Sequence, residues 1–202
     1  PPVVLLDDET LRDGLQSPSV RNPTIEDKLR ILHLIDRLGI DTADIGLPGA
    51  GLHVVRDVER LALEIGQQRL RVKANCAART VVADIRPIAE ISQRAGLPIE
   101  CCTFIGSSPI RQYVESWDVS LIAKRSTEAI DVAVKAGLPV AYVTEDTTRS
   151  RPDVLTTLFR AAIDHGASRL CLSDTVGHAT PAGARALVRF TKRVIDEAGG
   201  RE

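Results

Sequence analysis

Six short apolar runs, each followed by a longer stretch with helical spacing, constrain this chain more than anything else in its sequence. The runs are Val3–Leu6, Ala43–Ile45, Leu70–Ala74, Ile99–Phe104, Val140–Val143 and Leu170–Leu172. They have strand length and are largely apolar, interrupted only by Asp44, Arg71, Lys73, Glu100 and Thr103, as strands covered on both faces are. Between them, Ile25, Leu29, Leu32 and Ile35 trace one helical face, and Gly39 stands where that helix should stop. Ile130, Ala133 and Val134 repeat the pattern ahead of Ala136–Gly137. Start signals agree: Thr24 precedes Asp27, Ser150 precedes a helix led by Pro152, and Thr180–Pro181 is an N-cap followed by proline. The phrase AGLPIE (95–100) returns as AGLPVA (136–141), each joining a helix end to a strand. The alternation predicts a parallel sheet covered by helices.

Two architectures satisfy that pattern, a doubly wound open sheet and a (β/α)8 barrel. No GxGxxG or GxxxxGK[ST] follows the first run, which argues against the nucleotide-binding open sheet. A complete barrel takes about 250 residues, and the chain has 202. The expected fold is therefore α/β, a TIM barrel of which residues 1–202 form one partial domain with about the first six βα units. The sequence has no methionine, so Pro1 is not expected to be a translation start and the chain is expected to be a trimmed piece. The balance of 26 basic against 27 acidic residues, without a basic stripe interleaved with aromatics, argues against a nucleic-acid-binding surface. No apolar run has the length of a membrane span, and no signal peptide is expected. Cys76, Cys101, Cys102 and Cys171 show no CxxC spacing and read as reduced, buried thiols of a cytoplasmic protein.

Polar groups cluster just past the C-terminal ends of the apolar runs. They are Arg12 and Asp13, then Asp44, then Asn75 and Arg79, then Thr103, Ser107 and Ser108, then Glu145 and Asp146, and last Asp174 and Thr175. In barrels, the loops at this end build the active site. Taken singly, any of these residues reads equally well as a strand end meeting water; as a set they point to a pocket. The opening VVLLDDETLRDGLQ (3–16) gathers four acids around one arginine. A carboxylate beside a guanidinium suits a hard-metal ligand with a fixed cation next to it. Glu145 with Asp146 reads either as an acid–base pair or as solvated loop charge. His178 reads as a loop histidine, while His33 and His53 lie on helices as structural or surface residues.

These stretches resemble a known family. DETLRDGLQ (8–16) is similar to the DTTLRDGEQ opening of the DRE-TIM metallolyase superfamily, and ADIGLP (43–48) to its second-strand IEVGFP. FIGSS (104–108) resembles FIATS, VTEDTTR (143–149) resembles SAEDATR, and SDTVGHATP (173–181) resembles DTVGYATP. The resemblance implies that Asp13 binds a divalent metal ion (Mg, Mn or Zn), that Arg12 and Glu145 are catalytic, and that Gln16, Asp44 and Thr175 bind substrate. It implies a metal-dependent acyltransferase that condenses acetyl-CoA with a 2-oxo acid, in the manner of 2-isopropylmalate, homocitrate and citramalate synthases, and a homodimer. EDTTR favours the synthases; cleavage of the lyase type and a non-catalytic fragment that binds a ligand or partner are the alternatives. Departures are visible. Asp44 stands where the family has glutamate, and Cys102 where it has histidine before FIATS. The loop 108–124 lacks a Lys-rich pattern, and the HxH pair of the family's seventh strand does not occur.

Overall fold

The computed structural model describes residues 4–199. Strands and helices alternate: β1 (Asp7–Asp8), α1 (Ile25–Leu38), β2 (Thr42–Asp44), α2 (Leu52–Gln68), β3 (Lys73–Arg79), α3 (Val82–Ala95) and β4 (Glu100–Gly106) come first. Then follow α4 (Pro109–Glu115), α5 (Val119–Lys135), β5 (Val140–Glu145), α6 (Pro152–Asp164), β6 (Arg169–Leu172) and α7 (Pro181–Glu197). Short 3-10 turns at Gly14–Gln16, Pro48–Ala50 and Thr147–Arg149 fill the loops after β1, β2 and β5.

The strands form one sheet in the order β1-β2-β3-β4-β5-β6. Pairing is parallel, with Asp7 opposite Thr42, Asp44 opposite Asn75, and Tyr142 opposite Leu170. A doubly wound sheet reverses its strand order at a switch point. The unbroken order is that of a (β/α)8 barrel, of which six units are present.

By contact density the chain divides into two compact units. One comprises the residues up to 78 with 83–102 and 136–138; the other comprises 79–82, 103–135 and 139 onward. In the first, α1 packs on α2, and the core holds Leu32, Val58, Leu61, Ile85, Ile88 and Ile99, all without solvent exposure. In the second, α5 packs on α6 and α6 on α7, around Ile122, Ile130, Tyr142, Leu158 and Phe159.

Local chemistry explains most boundaries. Thr24 caps α1, its hydroxyl accepting from Asp27 N–H at 3.2 Å. Thr180 caps α7 in the same way, accepting from Gly183 N–H at 3.1 Å. The repeated AGLP joint places Gly96 at φ +60° and Gly137 at φ +80°, the left-handed turn by which a helix is left and a strand entered.

Several boundaries depart from the sequence reading. Val4, Leu5 and Leu6 are exposed and do not form a strand; Val3 lies outside the described residues. Leu6 instead ties to the loop before β2, its N–H donating to Asp41 Oδ2 at 2.8 Å, and pairing begins at Asp7. β3 begins at Lys73, because Asp36 Oδ1 takes the N–H groups of Arg71 and Val72 at 2.6 and 3.0 Å and withdraws them from the ladder. Ser150 does not cap α6: Arg151 holds that position, and the Ser150 hydroxyl donates to Asp146 O at 3.0 Å. Nor are all the cysteines buried. Cys76 and Cys101 are, Cys102 is half-buried, and Cys171 is exposed on β6, whose residues are exposed or only half-buried throughout. Among the described residues, no helix is long and apolar enough to cross a membrane.

Candidate active site

In the first unit, the turn after β1 folds back so that Arg12 N–H and Gly14 N–H both donate to Glu9 O, at 3.2 and 3.0 Å. This brings every nitrogen of the Arg12 guanidinium to a carboxylate. Nε donates to Asp44 Oδ2 at 2.9 Å, one terminal nitrogen to Asp13 Oδ1 at 3.1 Å, and the other lies 2.6 Å from Glu9 Oε2. The arginine is thereby fixed in a plane by groups from two strand ends. Asp44 closes β2 with a side chain 1% exposed, and its Oδ1 accepts from Gly46 N–H at 3.0 Å.

The electrostatics of this group are unusual. Burial first, then the negative charge of Glu9, push the Asp44 carboxyl up to about 7, against the opposing pull of Arg12. Burial raises Glu9 as well, with Arg12 opposing. Burial alone would loosen the Arg12 proton, but Asp44 and Glu9 outweigh it and hold the guanidinium more firmly charged. Alongside, Asp7 Oδ1 accepts from Thr42 Oγ1 at 2.5 Å and from Asn75 Nδ2 at 2.8 Å, while the buried Asn75 Oδ1 has no partner among the described residues.

In the second unit, Glu145 ends β5. Its backbone carbonyl accepts from both N–H and Oγ of Ser107 at 3.2 Å, and its carboxylate lies 4.0 Å from Arg111 Nε. Asp146, the next residue, is 2% exposed and adopts the left-handed conformation (φ +62°). Both its oxygens accept from Arg149, each at 2.7 Å, and its N–H donates to Thr175 Oγ1 at 2.8 Å. Burial works to raise this carboxyl, but Arg149 and Ser108 outweigh it and hold it below the usual carboxylate range. Asp174 is also held low, chiefly by the Ala179 N–H and then by the Thr148 hydroxyl at 2.9 Å. A cavity of about 510 Å³ lies nearby, lined by Thr148, Ser150, Leu155, His178, Phe190 and Arg193, but Glu145 and Thr175 are not in its wall.

The sequence-predicted residues thus fall into two groups. Arg12, Asp13 and Asp44 meet directly. Gln16 ends the 3-10 turn, exposed, with its N–H on Asp13 O at 3.0 Å. Glu145 and Thr175 are linked through Asp146. The reading of Asp146 as solvated loop charge is wrong, because the carboxylate is buried on Arg149. Neither Arg149 nor Arg111 was singled out from the sequence; the Asp146–Arg149 spacing of three residues across a turn was the available signal.

A divalent ion finds a fitting but incomplete donor set here. Asp13 offers a hard oxygen on a carboxylate that is 65% exposed, and the Arg12 cluster carries an excess of negative charge. Among the described residues no three His, Cys, Asp or Glu side chains converge into a closed site.

The class of protein follows from this arrangement: consecutive parallel βα units whose strand ends carry acid–arginine clusters, as in barrel enzymes. Residues 4–199 match the HMGL-like family, and the chain belongs to that family, within the DRE-TIM superfamily. It is 33% identical over 198 residues to the 2-isopropylmalate synthase of Pyrococcus abyssi, covering 98% of this chain and 40% of that protein. It is likewise 33% identical over 198 residues to the homocitrate synthase AksA of Methanopyrus kandleri, covering 97% of this chain and 47% of the other. Among solved structures, the Bacillus subtilis HMG-CoA lyase superposes with a TM-score of 0.73 at 21% identity, covering 94% of this chain and 64% of that one. The chain spans less than half the length of these two synthases.

Proposed function

We propose that this chain is the catalytic-barrel portion, strands one to six, of a cytoplasmic, dimeric acyltransferase that condenses acetyl-CoA with a 2-oxo acid, of the 2-isopropylmalate synthase type. The observation that carries the reading is the Arg12 guanidinium, locked on Glu9, Asp13 and Asp44. It presents a fixed positive charge beside an exposed metal-type carboxylate. Preorganised charge aimed at a developing oxyanion commonly contributes more than any other effect in such reactions.

Each residue then has a role. Arg12 stabilises negative charge that develops on oxygen as the carbon–carbon bond forms. Asp44 holds Arg12 in place, its shorter side chain doing so from a β2 position where the family has glutamate. Asp13 would hold a divalent ion, which when bound supplies Lewis-acid polarisation of the ketone. Gln16 orders the turn that carries both residues and borders the substrate. Glu145 is the acid–base group. The Thr175 hydroxyl accepts from Asp146 N–H, which leaves its own hydrogen free to donate to the carboxylate of the 2-oxo acid.

The test is a thiol-release assay on the full-length gene product, with acetyl-CoA, a divalent metal and a panel of 2-oxo acids, run beside an Asp13→Ala variant. Free CoA with one oxo acid, lost in the variant, supports the reading and names the substrate. If a folded, metal-binding protein releases no CoA with any oxo acid, the synthase reading is wrong, and cleavage of a 3-hydroxyacyl-CoA is the reaction to assay.

A further inference from the structure

We propose that Asp146 is a positioning residue that holds Glu145 and Thr175 as a pair, a role that rests on the condensing reaction proposed above. Three non-glycine residues among those described have positive φ: Arg69, Ser116 and Asp146. Arg69 and Ser116 terminate α2 and α4, where the left-handed conformation is an ordinary helix ending. Asp146 has no such reason. It follows directly on β5, and a strained backbone of this kind persists only where the surroundings over-determine it.

The surroundings do enforce it. The side-chain oxygens are both on Arg149, the backbone N–H is on Thr175 Oγ1, and the carbonyl accepts from Ser150 Oγ at 3.0 Å and Arg149 N–H at 3.2 Å. Ser150 in turn meets Ser107 Oγ at 2.6 Å, and Ser107 donates to the Glu145 carbonyl. One residue therefore ties together the loops that follow β4, β5 and β6. The left-handed turn is what sends the Asp146 amide toward Thr175 immediately after Glu145 leaves the strand. It leaves the Glu145 carboxylate one-third exposed, with only a long 4.0 Å approach to Arg111. Asp146 itself is buried and does not meet substrate.

A double-mutant cycle on the full-length protein separates positioning from general structural support. Asp146→Asn keeps the shape and tolerates the left-handed backbone but loses the charge that grips Arg149. It is expected to lower kcat by about tenfold or more while leaving KM for acetyl-CoA within about twofold. In a Glu145→Gln background the same substitution is expected to have almost no further effect on kcat. An equal loss in both backgrounds, or no loss in either, overturns the proposal. If Glu145→Gln alone leaves kcat unchanged, the catalytic role assigned to Glu145 falls, and with it Asp146 as its positioner. A second measurement needs no activity and no Asp146 variant. Amide hydrogen exchange at Asp146 is expected to quicken by about tenfold in Thr175→Val and to stay unchanged in Thr175→Ser. Unchanged exchange in the valine variant refutes the link between the two residues.

Discussion

Replacing Asp44 with asparagine is expected to make the protein more stable at pH 8 and less active, which is the reverse of what deleting half of a salt bridge suggests. Removing one partner of a buried ion pair commonly costs about 3–5 kcal/mol. Here the burial of Asp44, at 1% exposure, and the adjacent Glu9 charge outweigh the attraction of Arg12. The carboxyl binds its proton more tightly in the folded chain, at about 7, than its ordinary value of 3.8 allows when unfolded. Its contribution to stability is therefore fully present below about 3.8 and is lost as pH rises through about 7. At about 1.4 kcal/mol per tenfold change in proton affinity, the ionised form sits about 4 kcal/mol above the neutral one. About 3 kcal/mol of that should appear between pH 8 and pH 5. Asparagine imitates the neutral acid, so urea titrations should show the parent gaining stability over that interval and the Asp44→Asn variant staying nearly flat, with the two curves closest at low pH. Catalysis should fall by about tenfold or more, because Arg12 loses the charged acceptor that fixes its Nε. A variant less stable than the parent at pH 8, or a parent profile flat from pH 5 to 8, would refute the argument and mean that the pull of Arg12 wins.

Three further substitutions test the framework around the site. Phe159→Ala should cost about 3–5 kcal/mol in chemical denaturation, since the ring is fully buried in the core of the second unit. Gly46→Ala should destabilise by about 1–3 kcal/mol: φ is +146°, and an added Cβ would lie 2.7 Å from Val58 Cγ2. Adding Val58→Ala should relieve the clash but not the backbone strain, so recovery should be partial. Ser126→Ala should cost about 1–3 kcal/mol by thermal melting, because it removes the 2.9 Å contact that satisfies the buried Tyr142 hydroxyl.

What could be read from the sequence was whatever is decided locally. The Thr24 and Thr180 caps and the glycine joints at 96 and 137 lie within a few residues of the structure they set. The adjacency of Arg12 and Asp13 was visible for the same reason. Strand starts were misplaced where a distant group decides them: Asp36, 35 residues before Arg71, claims the N–H groups that would otherwise have opened β3. The first apolar run misled because apolar composition does not tell a strand from an extended segment: Leu6 is held by its N–H on the Asp41 carboxylate and by its carbonyl on the Asp41 and Thr42 N–H groups, and only from Asp7 does the ladder run. Asp44 could be named as a site residue, but not as the acceptor for Arg12, since that contact spans 32 residues. Asp146 was underrated because loop acids usually meet water, and only the folded turn brings Arg149 back over it.

The strand order has a kinetic meaning as well. Each paired strand finds its partner one βα unit away, ~30 residues along the chain, so closing each loop carries a similar and modest entropy cost. No pairing among those six strands waits for the two ends of the sheet to meet. Assembly can thus begin at whichever unit collapses first and spread in either direction, although each parallel pairing still spans a whole helix and is slower to form than the local contacts of a helical bundle.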